Sequence, residues 1–228
     1  MPRERGKHNH QRRRTAPQRA SITSSTPSAC LAPRYDSWYL GAVKLTIRPL
    51  TLDLWPALED LFGPKGACNG CWCMYCRIGS EYKRRHPQAN KAALRAIVRQ
   101  GPPPGLLAFD GERAVGWCQL TPRDAVPWLD RTWRLARVDD QPVWSLSCFY
   151  VRIGYRRRGI AWALIKEALK VARRAKAPAL EAYPFDAQLS PSSTSTGYAS
   201  TFARAGFKVV ARRIPARPIM RHDLKKIT

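Results

Sequence analysis

Acidic residues are scarce in this chain of 228 residues: 16 Asp and Glu stand against 40 Lys and Arg, a net charge of +24 at pH 7. Such a surface repels polycationic partners at the encounter and favours nucleic acid, an anionic surface or a phosphorylated cofactor. The basic residues are scattered among apolar ones, so charge alone does not name a partner. Long apolar runs are missing too. No stretch approaches the ~18 residues that span a bilayer, so no membrane helix is predicted. Arg12, Arg13 and Arg14 are followed by Thr-Ala-Pro-Gln-Arg-Ala-Ser, which is no apolar signal core, and no signal peptide is read. Seven cysteines, an odd number, fit a reducing compartment better than a disulfide framework, and the cytoplasm is the expected location. No internal repeat is visible, and nothing in the sequence reads out an oligomeric state.

What is present divides the chain in two. Residues 1–42 are rich in Arg, Ser, Pro and Gln and lack apolar periodicity, which predicts a disordered basic tail. Eight Lys/Arg against Glu4 and Asp36 give it +6, leaving +18 on residues 43–228. That remainder, within a chain 44% apolar and carrying eight Trp, has ample material for one packed domain. Lys44–Leu50 alternates like a strand stopped by Pro49. Asp53 stands ahead of a helical pattern through Leu54, Trp55, Leu58, Leu61 and Phe62. A Gly- and Cys-rich stretch runs from Gly63 to Gly79, and residues 89–100 read as an amphipathic helix. Residues 106–109 and 114–120, around Asp110-Gly111-Glu112, read as a hairpin. A polar connection spans 122–142, a long apolar strand 143–152, and a strong amphipathic helix 157–176. A strand at 179–183, a Ser/Thr/Pro-rich loop at 184–196, a short helix at 198–205 and strands at 207–213 and 217–224 complete the chain. The predicted order, β-α-α-β-β-β-α-β-α-β-β, implies an α/β (α+β) domain: a mixed, mostly antiparallel central sheet with helices on both faces.

The segment richest in chemistry is Cys148-Phe149-Tyr150-Val151-Arg152-Ile153-Gly154-Tyr155-Arg156-Arg157-Arg158-Gly159-Ile160-Ala161. It reads strand, tight turn, helix. A helix start presents unpaired N–H groups and the positive end of the helix dipole. Gly159 and Ala161 are small enough for a pyrophosphate to approach the backbone, and Arg156, Arg157 and Arg158 add charge-assisted hydrogen bonds. This Arg156-x-x-Gly159-x-Ala161 turn resembles the acetyl-CoA-binding motif of the GNAT superfamily of N-acetyltransferases, and Ala205-Gly206-Phe207 resembles that superfamily's later Gly-Phe signature. The resemblance spans about four-fifths of the chain. It implies a GNAT-like acyl-CoA N-acyltransferase fold, acetyl-CoA as co-substrate and an amine as acceptor. It also implies a strand that splays from its neighbour, so that Phe149, Tyr150 and Val151 pair with the pantetheine arm. Arg156, Arg157, Arg158, Gly159, Ile160 and Ala161 would hold the pyrophosphate.

Transfer of acetyl to an amine needs a neutral nucleophile and a proton for the leaving thiolate. Many members of the superfamily place a Tyr four residues before the Gly of Gly-Phe, but here Phe202 stands there. Tyr198, one helical turn earlier, is the first substitute and Tyr183 the second. Glu181 is the leading candidate base, with Asp186, Asp139 and Asp140 as loop alternatives. Cys68, Cys71, Cys73 and Cys76 are dense enough to suggest zinc, with His86 as a further ligand. The single residue between Cys71 and Cys73 makes tetrahedral closure awkward, so no metal is expected, and the resemblance places this stretch by the acceptor pocket. A nucleic-acid-binding or acyl-CoA-sensing protein without turnover is the alternative, kept open by Phe202 and the residual +18, although nucleic acid is not the expected partner.

Overall fold

The computed structural model describes residues 45–187 and 194–224, all within one unit, residues 39–228. The tail expected over 1–42 and the start of the first strand at Lys44 lie outside the described residues. Seven strands form one sheet in the order β1-β2-β3-β4-β5-β7-β6. They are β1 (Leu45–Pro49), β2 (Gly105–Asp110), β3 (Arg113–Pro122), β4 (Trp144–Val151), β5 (Ala179–Ala182), β6 (Lys208–Ala211) and β7 (Ile219–Asp223). Only the β4–β5 pair is parallel; every other pair is antiparallel. The helices are α1 (Trp55–Phe62), α2 (Tyr75–Ile78), α3 (Pro87–Gln100), α4 (Trp128–Arg131), α5 (Ile160–Arg174) and α6 (Ala199–Arg204). The fold class expected from the sequence is therefore present, with α2, α4 and short 3-10 turns added in segments that lack helical periodicity.

The two faces of the sheet carry separate cores. Ile160, Leu164, Ile165, Ala168 and Ala172 of α5 recur at helical spacing and bury against Leu106, Val115, Leu146 and Phe149, joined by Phe202 of α6. On the opposite face α1, α3 and the loop bearing Trp72 bury Leu58, Leu61, Phe62 and Leu94 against Leu107, Phe109 and Trp117. Gly116 brings α5 close: a Cβ there would sit 2.5 Å from Ile160 Cγ2. Two left-handed residues, Arg157 (φ 63°) and Gly159 (φ 77°), delay α5 to Ile160, three residues later than its apolar period suggests. Arg157 and Arg158 therefore lie in the turn before the helix. Among the described residues no helix is long and apolar enough to cross a membrane.

Candidate active site

β4 changes parity inside the sheet. Gln119 of β3 pairs with Cys148, but Leu120 pairs with Leu146, so Ser147 is an extra residue in β4. This bulge puts Leu146, Phe149 and Val151 on the α5 face and turns Cys148 and Tyr150 toward the core of α1 and α3. Pairing with β5 covers only Trp144, Ser145 and Leu146, and ends where the bulge begins. Beyond it the two strands diverge. Arg152 N–H donates to Val115 O of β3 at 2.9 Å, whereas Phe149 N–H points to the other side and donates to Ser195 O at 2.5 Å. By strand alternation Phe149 and Val151 offer their backbone to the gap, and Tyr150 offers its backbone to β3. Tyr150 instead packs its ring edge-on to Phe62, centroids 5.7 Å apart. Ser195 belongs to a segment that crosses the gap and is itself held to Phe185, whose N–H donates to Gly197 O and whose carbonyl accepts from Ala199 N–H.

The gap leads into the turn before α5. Among the described residues, no backbone N–H from Arg156 to Trp162 donates to a backbone carbonyl. Gly159 caps the helix in the left-handed region, and a Cβ there would meet nothing within 4 Å. The surface above these N–H groups is thus open. Arg156 is half-buried, its Nε donating to Val151 O at 3.4 Å, while Arg157 and Arg158 are exposed, the latter 5.3 Å from the centre of the Tyr155 ring. Ile160 is buried and contributes only its backbone; Ala161 is half-buried beside it. This is a cationic nest able to seat a pyrophosphate.

The proposed proton-transfer residues are not gathered in one place. Glu181 is 1% exposed and sits between two guanidiniums. Its Oε2 accepts from Arg123 at 2.9 Å and its Oε1 from Arg221 at 2.7 Å and 3.0 Å. Tyr183 is fully buried, donates to Glu181 Oε2 at 3.1 Å and accepts from Arg123 at 2.6 Å. Burial, then the neighbouring carboxylate, pushes the Tyr183 phenol far above its ordinary value. The carboxylate is thus fully engaged by two guanidiniums and a phenol, and such a phenol is a poor donor. Asp139, one of the loop alternatives, is engaged by Arg221 at 2.7 Å, and Asp186 by Arg212 at 2.8 Å. Tyr198 is half-buried at the N-cap of α6, with extended backbone (φ −109°, ψ 141°). It stands one turn before Phe202, whose N–H its carbonyl accepts at 3.4 Å, but as the cap and not within the helix, which begins one residue later than the spacing suggested. It bridges to Phe185 at the rim of the gap. Phe202 itself is fully buried against Phe149 and Phe207, ring centroids 5.9 Å and 5.2 Å away.

The cysteines converge on the same region from the α1/α3 side. Cys73 Sγ lies 3.7 Å from Cys148 Sγ and accepts from Trp117 Nε1 at 3.0 Å. Cys76 Sγ approaches Ser147 O, at the bulge, at 4.0 Å. Burial pushes the Cys71 thiol up to about 12 and the Cys76 thiol up to about 11. Cys68 is exposed. No group of three or more His, Cys, Asp or Glu among the described residues is arranged to hold a metal. Separately, a cavity of about 460 Å³ between α2 and α4 is lined by Arg77, Arg84, Arg85 and Arg131 with Trp128 and Glu81.

Residues 72–189, just over half of the chain, match the model of the Acetyltransferase (GNAT) family. The chain belongs to the GNAT acetyltransferase family. No curated protein matches the sequence. Among solved structures, similarity extends to the PaiA N-acetyltransferase from Thermoplasma acidophilum in complex with coenzyme A, at 17% identity over 78% of this chain and 98% of that one, TM-score 0.47. It extends also to YncA from Salmonella typhimurium, solved with acetyl-CoA, at 15% identity over 80% and 95%, TM-score 0.48. A third is an N-acetyltransferase from Staphylococcus aureus Mu50, at 15% identity over 79% and 99%, TM-score 0.46. The GNAT motif segment thus sits on the strand, turn and helix that the sequence indicated. The arginines that clasp Glu181 were not foreseen, although Arg221 carries a visible signal: a cation next to Ile219 and Met220 on an apolar strand needs a partner.

Proposed function

We propose that this GNAT chain is an N-acetyltransferase that moves acetyl from acetyl-CoA to a primary amine by direct attack. The observation that carries this is the open run of backbone N–H groups at residues 156–162, continuous with the edge of β4 that β5 leaves unpaired beyond Leu146. Pantetheine amides would pair with Phe149 and Val151 as an added strand. Arg156, Arg157, Arg158, Gly159, Ile160 and Ala161 would receive the pyrophosphate. Phe149 N–H is already committed to Ser195 O, so the cofactor must displace that segment to lie in the gap.

The amine nitrogen attacks the thioester carbonyl, the carbon–sulfur bond breaks, and the thiolate of CoA takes a proton while the new amide loses one. Tyr198, at the rim of the gap, is retained as the donor to the thiolate. Glu181 and Tyr183 are assigned to holding β5, β7 and the turn after β3 together, and the amine proton leaves to solvent. Calorimetric titration of acetyl-CoA into the full chain, with CoA as comparison, tests the cofactor site. Saturable one-to-one binding followed by acetyl transfer to amines supports the proposal. A folded chain that binds neither ligand and instead binds DNA in a salt-sensitive way would replace it with the nucleic-acid alternative.

A further inference from the structure

Among the described residues, Arg123, Arg221, Arg77 and Arg217 each bury part of their side chain, and they fall into two pairs. Arg123 and Arg221 have carboxylates at hydrogen-bond distance, namely Glu181, Asp130 and Asp139. Burial opposes the charge on Arg123, yet Tyr183, Asp130 and Glu181 hold it above its ordinary value, and Asp139 and Glu181 do the same for Arg221. Arg77 and Arg217 have no carboxylate partner among the described residues. Arg77 gives NH1 to the Ala125 carbonyl at 2.6 Å, and Arg217 lies over the Phe185 ring at 4.2 Å. The Nε of each is buried and has no hydrogen-bond partner. Burial lowers the pKa of both, and for Arg217 the nearby Arg134 guanidinium lowers it further.

Each of these cations is linked to the proposed reaction centre through a neighbour. Both act electrostatically on the Cys76 thiol, which reaches Ser147 O at the β4 bulge. Phe185, under Arg217, bridges to Tyr198 and holds the segment that crosses the gap. Tyr75, next to Cys76 in α2, is 38% exposed, so the place opens to solvent, and Arg77 also borders the 460 Å³ cavity. A guanidinium whose Nε is kept from water without a partner, and which lacks a counter-ion, is destabilising unless something supplies one. A planar fork of donors matches an oxyanion best.

We infer that the acceptor amine carries an acidic group, a carboxylate as in an amino acid, received by Arg217 and Arg77. This rests on the proposed acetyltransferase activity and names the acceptor class for the same site. Two guanidiniums beside the amine would also disfavour its ammonium form and so help provide the neutral nucleophile.

The test uses the full chain, acetyl-CoA and matched acceptors: amino acids, their carboxamides and their aminophosphonate analogues. CoA release should favour the acids over the amides by about ten- to a hundredfold in kcat/KM, mainly through KM. Better turnover of the phosphonates would keep the oxyanion site and change the oxyanion. Arg217→Gln and Arg77→Gln should erase the preference while leaving acetyl-CoA affinity unchanged. Each variant should lower Tm by no more than roughly 2–4 °C, because the lost hydrogen bond to Ala125 O or stack on Phe185 is offset by removal of a cation without a counter-ion, whereas a fully structural arginine would lower it further. Thermal stabilisation by the free acids, present in the wild type and lost in both variants, reads the site without turnover. If acetyl-CoA fails to bind but this stabilisation persists, the acetyltransferase proposal falls and the anion site stands. Amides that serve as well as acids, or acids that neither react nor stabilise, overturn the inference.

Discussion

Glu181→Gln separates a structural carboxylate from a catalytic one. The substitution keeps the shape of the side chain and removes its charge. In the wild type that charge is 1% exposed and accepts from Arg123, Arg221 and Tyr183. The substituted amide would present one oxygen and an N–H₂ group to two guanidiniums, so at least one buried cation loses its acceptor. Breaking a buried pair from one side costs about 3–5 kcal/mol. At roughly 2–4 °C per kcal/mol for a domain of this size, the melting temperature should fall by about 6–20 °C. Thermal unfolding followed by circular dichroism measures this directly. Calorimetry at a temperature where the variant is folded should show acetyl-CoA affinity close to wild type, because the cradle at residues 156–162 does not touch Glu181. The reasoning is refuted if Glu181→Gln melts with the wild type while turnover collapses and the pH–rate profile loses its acidic limb. That pattern would make Glu181 the proton acceptor that its position on β5 suggested from sequence.

The other expectations are narrower. Gly159→Ala places a non-glycine residue at φ 77° with no clash, so its stability loss should be only about 1–2 kcal/mol. The methyl group enters the open face of the cradle, and acetyl-CoA affinity should drop by more than about tenfold; unchanged calorimetric affinity would remove Gly159 from the site. Acetyl-CoA should speed amide hydrogen exchange across residues 195–197, because the cofactor takes Phe149 N–H from Ser195 O; slower exchange there would mean the segment closes over the cofactor instead. Arg221 holds the Asp139 carboxyl below its usual value, and Arg123 and Arg137 do the same for Asp130 against the effect of burial. A depressed folded-state pKa gives stability that is complete above the unfolded value and is lost as pH falls through the folded one. Melting temperature should therefore decline below about pH 4, and less steeply in Asp139→Asn; parallel acid limbs would show that the pair does not contribute.

Local sequence carried the fold because period, breakers and length agreed in most segments. The apolar spacing of Leu164, Ala168 and Ala172, and the alternation of β1, were enough to name those elements. Where the sequence misled, a backbone conformation outweighed the pattern. The left-handed residues Arg157 and Gly159 hold α5 back to Ile160, and no periodicity announces them. Tyr198 shares the spacing of the helix it precedes, yet its extended φ and ψ leave it as a cap. The strand, turn and helix that carry the proposed cradle were legible because they are contiguous. The partners of Glu181 were not legible, because they come from the turn after β3 and from β7, 58 residues before it and 40 after it. Nothing local marks a carboxylate as paired.

The same long-range pairing explains how a sheet can open at its centre without unravelling. β4 and β5 share only three paired positions, fewer than any other pair in the sheet except β6–β7, which also has three. Unpaired strand edges are normally a liability. Here β5 is fastened from its other side. Antiparallel pairing with β7 supplies the ladder. Arg221 then ties Glu181 to Asp139 and Gln141, and Arg123 ties it to Asp130 and to the Leu135 carbonyl. One carboxylate thus anchors β5 to β7 and to both ends of the 122–142 connection. On this view the ion network sets the width of the gap, and the bulge at Ser147 sets where it begins. Weakening the network should loosen the site before it abolishes the fold, so Glu181→Gln should raise the KM for the amine even at temperatures where the variant remains folded.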